Sequence, residues 1–536
     1  MFDDLRSLGD KAVIDTDVCI VGAGAAGISM ALSLVGSGLK VCLLEGGGAE
    51  FEDDSQALYQ GAETGLPYYP LDACRLRFFG GTTNHWGGRS QPLAPWDLTR
   101  RAWVPRSGWP IGFQDIAPYY PRAQQLCSLG PFSYGPEVWR AFGHSPAKID
   151  PKKLQYTFWR YSAVRRPELT DVDAVRFGKD YGPFLRKAAD VRVLLHANLT
   201  RIRLQPGGQA VRELEIASLS GKSARVRARR YVLACGAIEN ARLLLSSDDV
   251  ERGGVGNRHD LVGRFFMEHP DVQTAMLHPL KPELLNTFHA LYQRDGRVVR
   301  PGLRMAPEAQ AAQRVLTCAA TFAHEDNPDM PVVAARKIAP DLKAGRWGEA
   351  GENVGRVLGD LGGFLDDSYR NWRDGVVPRE RIERMRLNVE LEQSPDPASR
   401  VTLTGERDAL GLRRPQLSWR LGELERRSVL VFTKAVAAEL GRLGLARVRI
   451  SDWLLDPKGG WGGDMHGSFH HLGTTRMADD PKQGVVDRDG RVHGVGNLYV
   501  AGGSVFTTAG PSNPTMTIVA LALRLGHHLR GELAGR

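Results

Sequence analysis

Asp17-Val18-Cys19-Ile20-Val21-Gly22-Ala23-Gly24-Ala25-Ala26-Gly27 is the stretch that fixes how this chain is read. Val18 to Val21 form an apolar run of strand length that breaks into glycine. Small residues then continue at helical length to about Val35, where Gly36-Ser37-Gly38 ends the helix. Lys40-Val41-Cys42-Leu43-Leu44-Glu45 is a second strand pattern. Strand, GxGxxG turn, helix and strand make a βαβ unit of the kind that binds a dinucleotide. In such a unit Gly22 permits the tight turn, Gly24 lets the backbone approach a pyrophosphate, and Gly27 lets the helix lie on the strand. The helix start at Ala25 and Ala26 offers unpaired N–H groups to phosphate. Glu45 follows Gly27 by 18 residues, at a strand end beside Gly46, where a carboxylate can hold ribose hydroxyls. On these residues alone, a nicotinamide dinucleotide and the adenosine half of FAD fit equally well.

Working outward, the next glycine-rich stretch is Gly80-Gly81-Thr82-Thr83-Asn84-His85-Trp86-Gly87-Gly88. It reads as a loop of backbone donors able to cradle a phosphate or lie close to a flat ring. Tyr231-Val232-Leu233-Ala234-Cys235-Gly236-Ala237 is an apolar strand ending in glycine, followed by a helix from Ile238, and it returns the chain to the nucleotide-binding sheet. Between these lie a lobe punctuated by Pro and Trp and a meander over 191–228. Beyond residue 270, strand patterns recur at Val298 to Met305, Val315 to Phe322, Leu387 to Gln393 and Arg400 to Leu403. Glu425 to Leu440 reads as an amphipathic helix. The segment 341–372 has helical spacing but no functional signal.

The composition excludes some classes. The chain has 536 residues, 42% hydrophobic and 24% charged, as in ordinary globular proteins. The net charge of +9 comes from scattered Arg. The densest cluster, Arg225 to Arg230, alternates with small residues as the exposed face of a strand does, so no nucleic-acid partner is expected. Met1 to Lys11 is polar, and no run approaches the ~20 apolar residues of a membrane span. The six Cys lack CxxC spacing, so neither a disulfide framework nor a metal site is expected, and a cytoplasmic, reducing location is inferred.

The chemistry is concentrated near the C-terminus, in Ser468-Phe469-His470-His471-Leu472-Gly473-Thr474-Thr475-Arg476-Met477 and in Pro511-Ser512-Asn513-Pro514-Thr515. Oxidising an alcohol needs a base for the hydroxyl proton and an acceptor for the hydride, and a neutral His is the most available base. His470, held before a Gly-Thr turn, is the candidate; adjacent His471 points elsewhere on extended backbone. Asn513 also suits a helix N-cap, with Pro514 opening a helix over Thr515 to Leu529. That helix would aim its positive end at the cofactor and favour negative charge there, which suits a reduced flavin better than a reduced nicotinamide.

With the GxGxxG turn, the Gly80–Thr83 loop, His470-x-x-Gly473-Thr474-x-Arg476-Met477, Val486-Asp487 and the Asn-Pro-Thr helix start together, the chain resembles the glucose-methanol-choline (GMC) flavin oxidoreductases. Within them it looks closest to the pyranose 2-oxidase-like sugar oxidoreductases. The resemblance implies FAD as cofactor and an α/β fold: a Rossmann-like FAD-binding domain with an inserted α+β substrate domain on a largely antiparallel sheet. The expected division is 1–94, 188–268 and 466–536 for FAD, and 95–187 and 269–465 for substrate. It implies proton abstraction at His470, hydride transfer to flavin N5, and Asn513 on the substrate oxygen. It places Leu199, Cys235 and Gly236 at the adenine side and Gly503, Ser504, Pro514 and Thr515 near the flavin ring. It leaves open a covalent link through His85. The expected substrate is a sugar, glycoside or polyol, with O₂ or another acceptor reoxidising the flavin. The competing readings are a hydroxynitrile-lyase-like member of the fold and a flavin-binding protein without net redox turnover.

Overall fold

Val18, Cys19, Ile20 and Val21 are buried within the strand Ala12–Val21, as the apolar run requires for a strand covered on both faces. The computed structural model describes residues 1–165, 172–281, 284, 287–288, 292–294, 297–324, 330–374, 384–511 and 513–534. The first sheet runs in the order Phe2–Asp4, Val191–Leu195, Val41–Leu44, Ala12–Val21, Ser223–Leu233, Val211–Ala217, Asn198–Leu204. The first five strands pair in parallel and the last two add an antiparallel meander. Leu498–Val500 joins in parallel beside Tyr231–Leu233. Helix Ala25–Leu34 follows the glycine turn and packs against the C-terminal helix Thr515–Ala534. In this way the last segment of the chain is brought over the first.

Sequence reading divided Ala224–Ala228 from the apolar run at Tyr231. The structure instead has one strand, Ser223–Leu233, that pairs with Val211–Ala217 at its start and with Leu498–Val500 at its end. Arg225, Arg227 and Arg229 share its outer face, where the first two pair with Glu213, and Arg230 turns to the other face and pairs with Glu532.

The second sheet is antiparallel, in the order Ala446–Ile450, Pro270–Pro279, Met385–Leu391, Cys318–His324, Arg297–Met305, Leu154–Tyr161, Arg89–Ser90. Alternation along Met385–Leu391 sends Leu387, Val389 and Leu391 into a core shared with helix Glu423–Arg442. Glu390, of the opposite parity, lines a cleft between this sheet and the first. Arg89–Ser90 belongs to the second sheet, whereas helix Phe177–Lys187 packs on the first. Residues 341–372 run through three consecutive helices, Pro331–Lys343, Trp347–Gly359 and Leu361–Asp374, and the short links between them. Among the described residues no helix is long and apolar enough to cross a membrane. Trp109, Trp139 and Trp159 are buried, the last completely, so they build core; Tyr161 reaches the cleft.

Candidate active site

The glycine turn builds one end of a cleft of about 610 Å³. Gly22 has φ +101°, and a Cβ there would stand 2.7 Å from the Ala234 carbonyl oxygen. A Cβ on Gly27 would stand 1.9 Å from the Gly22 carbonyl oxygen, so this glycine lets helix and strand touch and lies behind the cleft wall. Gly24 is different: a Cβ there would meet nothing within 4 Å, because the residue faces the open cleft. Ala25 and Ala26 line it beside the helix start, and Gly236, at φ +81°, opens onto it from the next strand end.

Glu45 lines the same end, buried, with its carboxylate accepting from the N–H groups of Ala23 (3.1 Å) and Gly47 (3.0 Å). Burial raises its pKa. Gly46, Leu199 and Cys235 complete this wall. Sequence reading overlooked Arg75, Arg77, Asn198 and Glu239 here. Arg77 donates to Asn198 Oδ1 at 2.8 Å, its Nε has no partner, and Glu239 is held by Arg75 and Arg242. No local spacing links these residues; a loop, the start of strand Asn198–Leu204 and helix Gly236–Ser246 bring them together.

The loop Gly80–Trp86 lies along the middle of the cleft. Gly81, Thr82, Thr83, His85 and Trp86 line it, with His85 near the exposed ring of Phe469. Gly80 and Asn84 brace the loop from behind. Gly80, at φ +100°, donates to the Ala23 carbonyl at 2.9 Å, and Asn84 Nδ2 donates to the Phe79 carbonyl at 3.1 Å. Gly503, Pro514 and Thr515 line the far end, whereas Ser504 is fully buried against Asn240 Nδ2 at 2.9 Å.

His470 and Asn513 meet at that far end, with Asn513 Nδ2 3.2 Å from His470 Nε2. The first helical carbonyl is that of Pro514, which accepts from Ile518 N–H at 2.8 Å. Asn513 therefore precedes the cap and gives its amide to His470, and its Oδ1 is buried without a partner. This corrects the N-cap reading of Asn513, and the helix runs on to Ala534. Ser512 lies outside the described residues.

The opposite nitrogen of His470, Nδ1, is 2.9 Å from Nδ1 of His269 and 3.9 Å from Oε1 of Glu390. The main-chain N–H of His470 donates to Glu268 Oε1 at 2.7 Å, and Tyr68 bridges Glu268 to His471. Burial, followed by His269, Arg89 and His471, holds the His470 pKa well below the usual histidine range, so the ring is neutral. Glu268-His269-Pro270 stood in the sequence as an acid–His step after an apolar run, too common a pattern to single out. Glu268, His269 and His470 offer ligand atoms within 4.8 Å of one another. Those atoms already bond to one another, to Tyr68 or to main chain, which leaves a cation no free set.

A family model described as GMC oxidoreductase matches residues 395–522, the segment that carries His470 and Asn513. The chain is 26% identical to paromamine 6'-oxidase of Streptomyces fradiae, over 97% of this chain and 92% of that one. It is 22% identical to the fructose dehydrogenase large subunit of Gluconobacter japonicus, over 97% and 98%. Among solved structures, formate oxidase superposes with a TM-score of 0.57 at 16% identity, covering 98% of this chain and all of that one. Residues 395–522 thus carry a GMC oxidoreductase segment, and the chain is similar over nearly its whole length to the named oxidase and dehydrogenase. It is an oxidoreductase, and its fold is shared with formate oxidase.

Proposed function

We propose that this oxidoreductase uses FAD to oxidise a CH–OH group of a sugar, aminoglycoside or polyol. The observation that carries the reading is the contact of His470 with Asn513 at the end of a cleft whose other end is the glycine turn. The cleft residues fit FAD. Gly24 and Gly236 leave room where a phosphate must approach closely, Arg77 Nε and Asn513 Oδ1 are unpartnered, and a helix start opens at each end. When bound, FAD supplies a two-electron acceptor for the carbinol hydride at N5 of its flavin ring.

The chain's own residues do the rest. A substrate hydroxyl in the wedge between His470 and Asn513 donates its proton to Nε2 and accepts a hydrogen bond from Asn513 Nδ2. A neutral imidazole shielded from water can take that proton as the carbinol C–H bond breaks. The positive end of helix Thr515–Ala534 favours negative charge at the inner wall. Glu390, whose Oε2 is held by Arg89 at 2.7 Å, puts its other oxygen near the imidazolium that forms. We take 1–94, 188–268 and 466–536 as chiefly the cofactor-binding part and the rest as chiefly the substrate-binding part, except that Arg89–Ser90 goes with the second sheet and helix Phe177–Lys187 with the first. The relatives named for paromamine and fructose support the carbohydrate class, and an oxidase and a dehydrogenase among them leave the electron acceptor to experiment.

The test is an anaerobic absorbance titration of the purified yellow protein with paromamine, D-fructose and simple polyols. Bleaching of the flavin band by one of them supports the reading, and admitting air then separates oxidase from dehydrogenase. A yellow protein that no alcohol bleaches would favour a lyase of the same fold, and a colourless one would remove FAD. Acid precipitation reads the role of His85: flavin retained in the pellet is covalent, and flavin released is not.

A further inference from the structure

His269 contributes to the site although it is fully buried and does not line the cleft. Its Nε2 lies 2.7 Å from the carbonyl oxygen of Gly510. A carbonyl accepts and cannot donate, so Nε2 carries the proton. Burial lowers the His269 pKa to about 4, and the ring is therefore neutral with a single N–H. Its Nδ1 then has only a lone pair to offer. The atom opposite, 2.9 Å away, is Nδ1 of His470, which must be the donor. His470 is neutral as well, so its one proton is spent on Nδ1 and Nε2 is bare. Asn513 completes the sequence from the other side, since its Nδ2 can only donate, and it lies 3.2 Å from that bare nitrogen. Gly510, only three residues before Asn513, anchors one end of the sequence and Asn513 the other.

We propose that His269 is the positioning residue that sets the tautomer of the catalytic base: by accepting from Nδ1–H of His470, it keeps the Nε2 lone pair of His470 aimed at the substrate hydroxyl. The inference rests on the assignment of His470 as base and adds the device that makes it a base at the correct nitrogen. Alternatives for Nδ1–H are poor, because the nearest other acceptor, Glu390 Oε1, is 3.9 Å away, beyond hydrogen-bond range. A His269 that only filled space would be replaceable by any ring of similar size. A tautomer-setting His269 is replaceable only by a group that accepts at the Nδ1 position.

The test compares His269→Phe, which keeps the ring volume and removes the acceptor, with His269→Asn, whose side-chain amide oxygen can stand where Nδ1 stood. The first readout needs no substrate: proton NMR of the flavin-loaded enzyme in the downfield imidazole N–H region. One exchange-protected resonance, assigned by its loss in His470→Ala, should vanish in His269→Phe and persist in His269→Asn. The second readout is steady-state turnover with the alcohol that bleaches the flavin. In His269→Phe kcat should fall roughly 10- to 100-fold, by analogy with the loss of the partner that orients a metal-bound His, with KM little changed. His269→Asn should recover most of that loss. Persistence of the resonance and of kcat in His269→Phe would overturn the proposal, as would loss of both in His269→Asn with flavin content intact. If His269→Phe does not fold, the His269→Asn result alone decides. Full turnover in His470→Ala would instead refute the base assignment, a distinct failure.

Discussion

The two ends of the cleft are built in different ways. At the glycine-turn end the main chain does the work. Gly22, Gly24 and Gly27 set the path of the backbone, and Glu45 is tied to the N–H groups of Ala23 in that loop and of Gly47 just after its own strand. At the His470 end side chains do the work. His269, His470 and Asn513 come from three segments about 200 and 40 residues apart and touch only through ring and amide atoms. A backbone-built site tolerates no added Cβ where chain meets chain, but its side chains carry little chemistry. A side-chain-built site keeps its shape when one group is trimmed, but loses its reaction.

Four predictions sharpen that contrast. The largest effect should be on turnover: His470→Ala should lower kcat roughly 10²- to 10⁴-fold, the range for losing a general base, with flavin content unchanged by absorbance. Asn513→Ala should come next, about 10²-fold in kcat, as for loss of one donor to a reacting oxygen, again with flavin retained. In the backbone end, Gly27→Ala and Gly24→Ala should part company. The first forces a Cβ against the Gly22 carbonyl and should cost about 1–3 kcal/mol of stability, read by denaturant unfolding. The second has open space around it and should leave stability intact while weakening flavin retention on dialysis. Equal behaviour of these two variants would erase the distinction between a packing glycine and a cleft-facing one.

The smallest effect concerns pH. His471 is half-buried at the cleft wall, and its pKa is held down to about 3 by burial and then by Arg75. Its folded pKa lies below the unfolded value of 6.5, so the unfolded chain binds the extra proton in that window. Stability from this group is present above 6.5 and is lost as pH falls toward 3. His471→Phe keeps the Tyr68–Glu268 contact and should make the acid-side slope of Tm shallower. Glu268, raised to about 7 chiefly by burial, acts in the opposite sense: its term falls as pH rises from 4.5 to about 7. Glu268→Gln should therefore steepen the rise of Tm with pH over that interval.

The same contrast explains what the sequence disclosed. The glycine turn was legible because main-chain geometry is written in consecutive residues: φ > 0 at Gly22 and close approach at Gly27 demand glycine at fixed spacing. His470 and Asn513 were legible through motif resemblance, and the structure places them 3.2 Å apart. Asn513 as an N-cap was a sound local reading, since Asn before Pro usually caps, but its amide is taken by His470, a contact no local pattern encodes. His269, Arg77 and Glu390 were illegible for the same reason. Arg77 sits in a loop and meets Asn198 and Glu239 from a distant strand and helix, whereas His269 and Glu390 sit at or in strands and gain their neighbours where Pro270–Pro279 pairs with Met385–Leu391 and with His466–Gly467.

The most direct test of this division is anaerobic stopped-flow reduction of bound flavin by the identified alcohol, measured side by side in His470→Ala and Gly24→Ala with flavin content determined for each. The account predicts full flavin and a reduction rate lowered roughly 10²- to 10⁴-fold in His470→Ala. In Gly24→Ala it predicts depleted flavin and a near-normal rate per bound flavin. Normal reduction in His470→Ala, or slow reduction of fully retained flavin in Gly24→Ala, would contradict it.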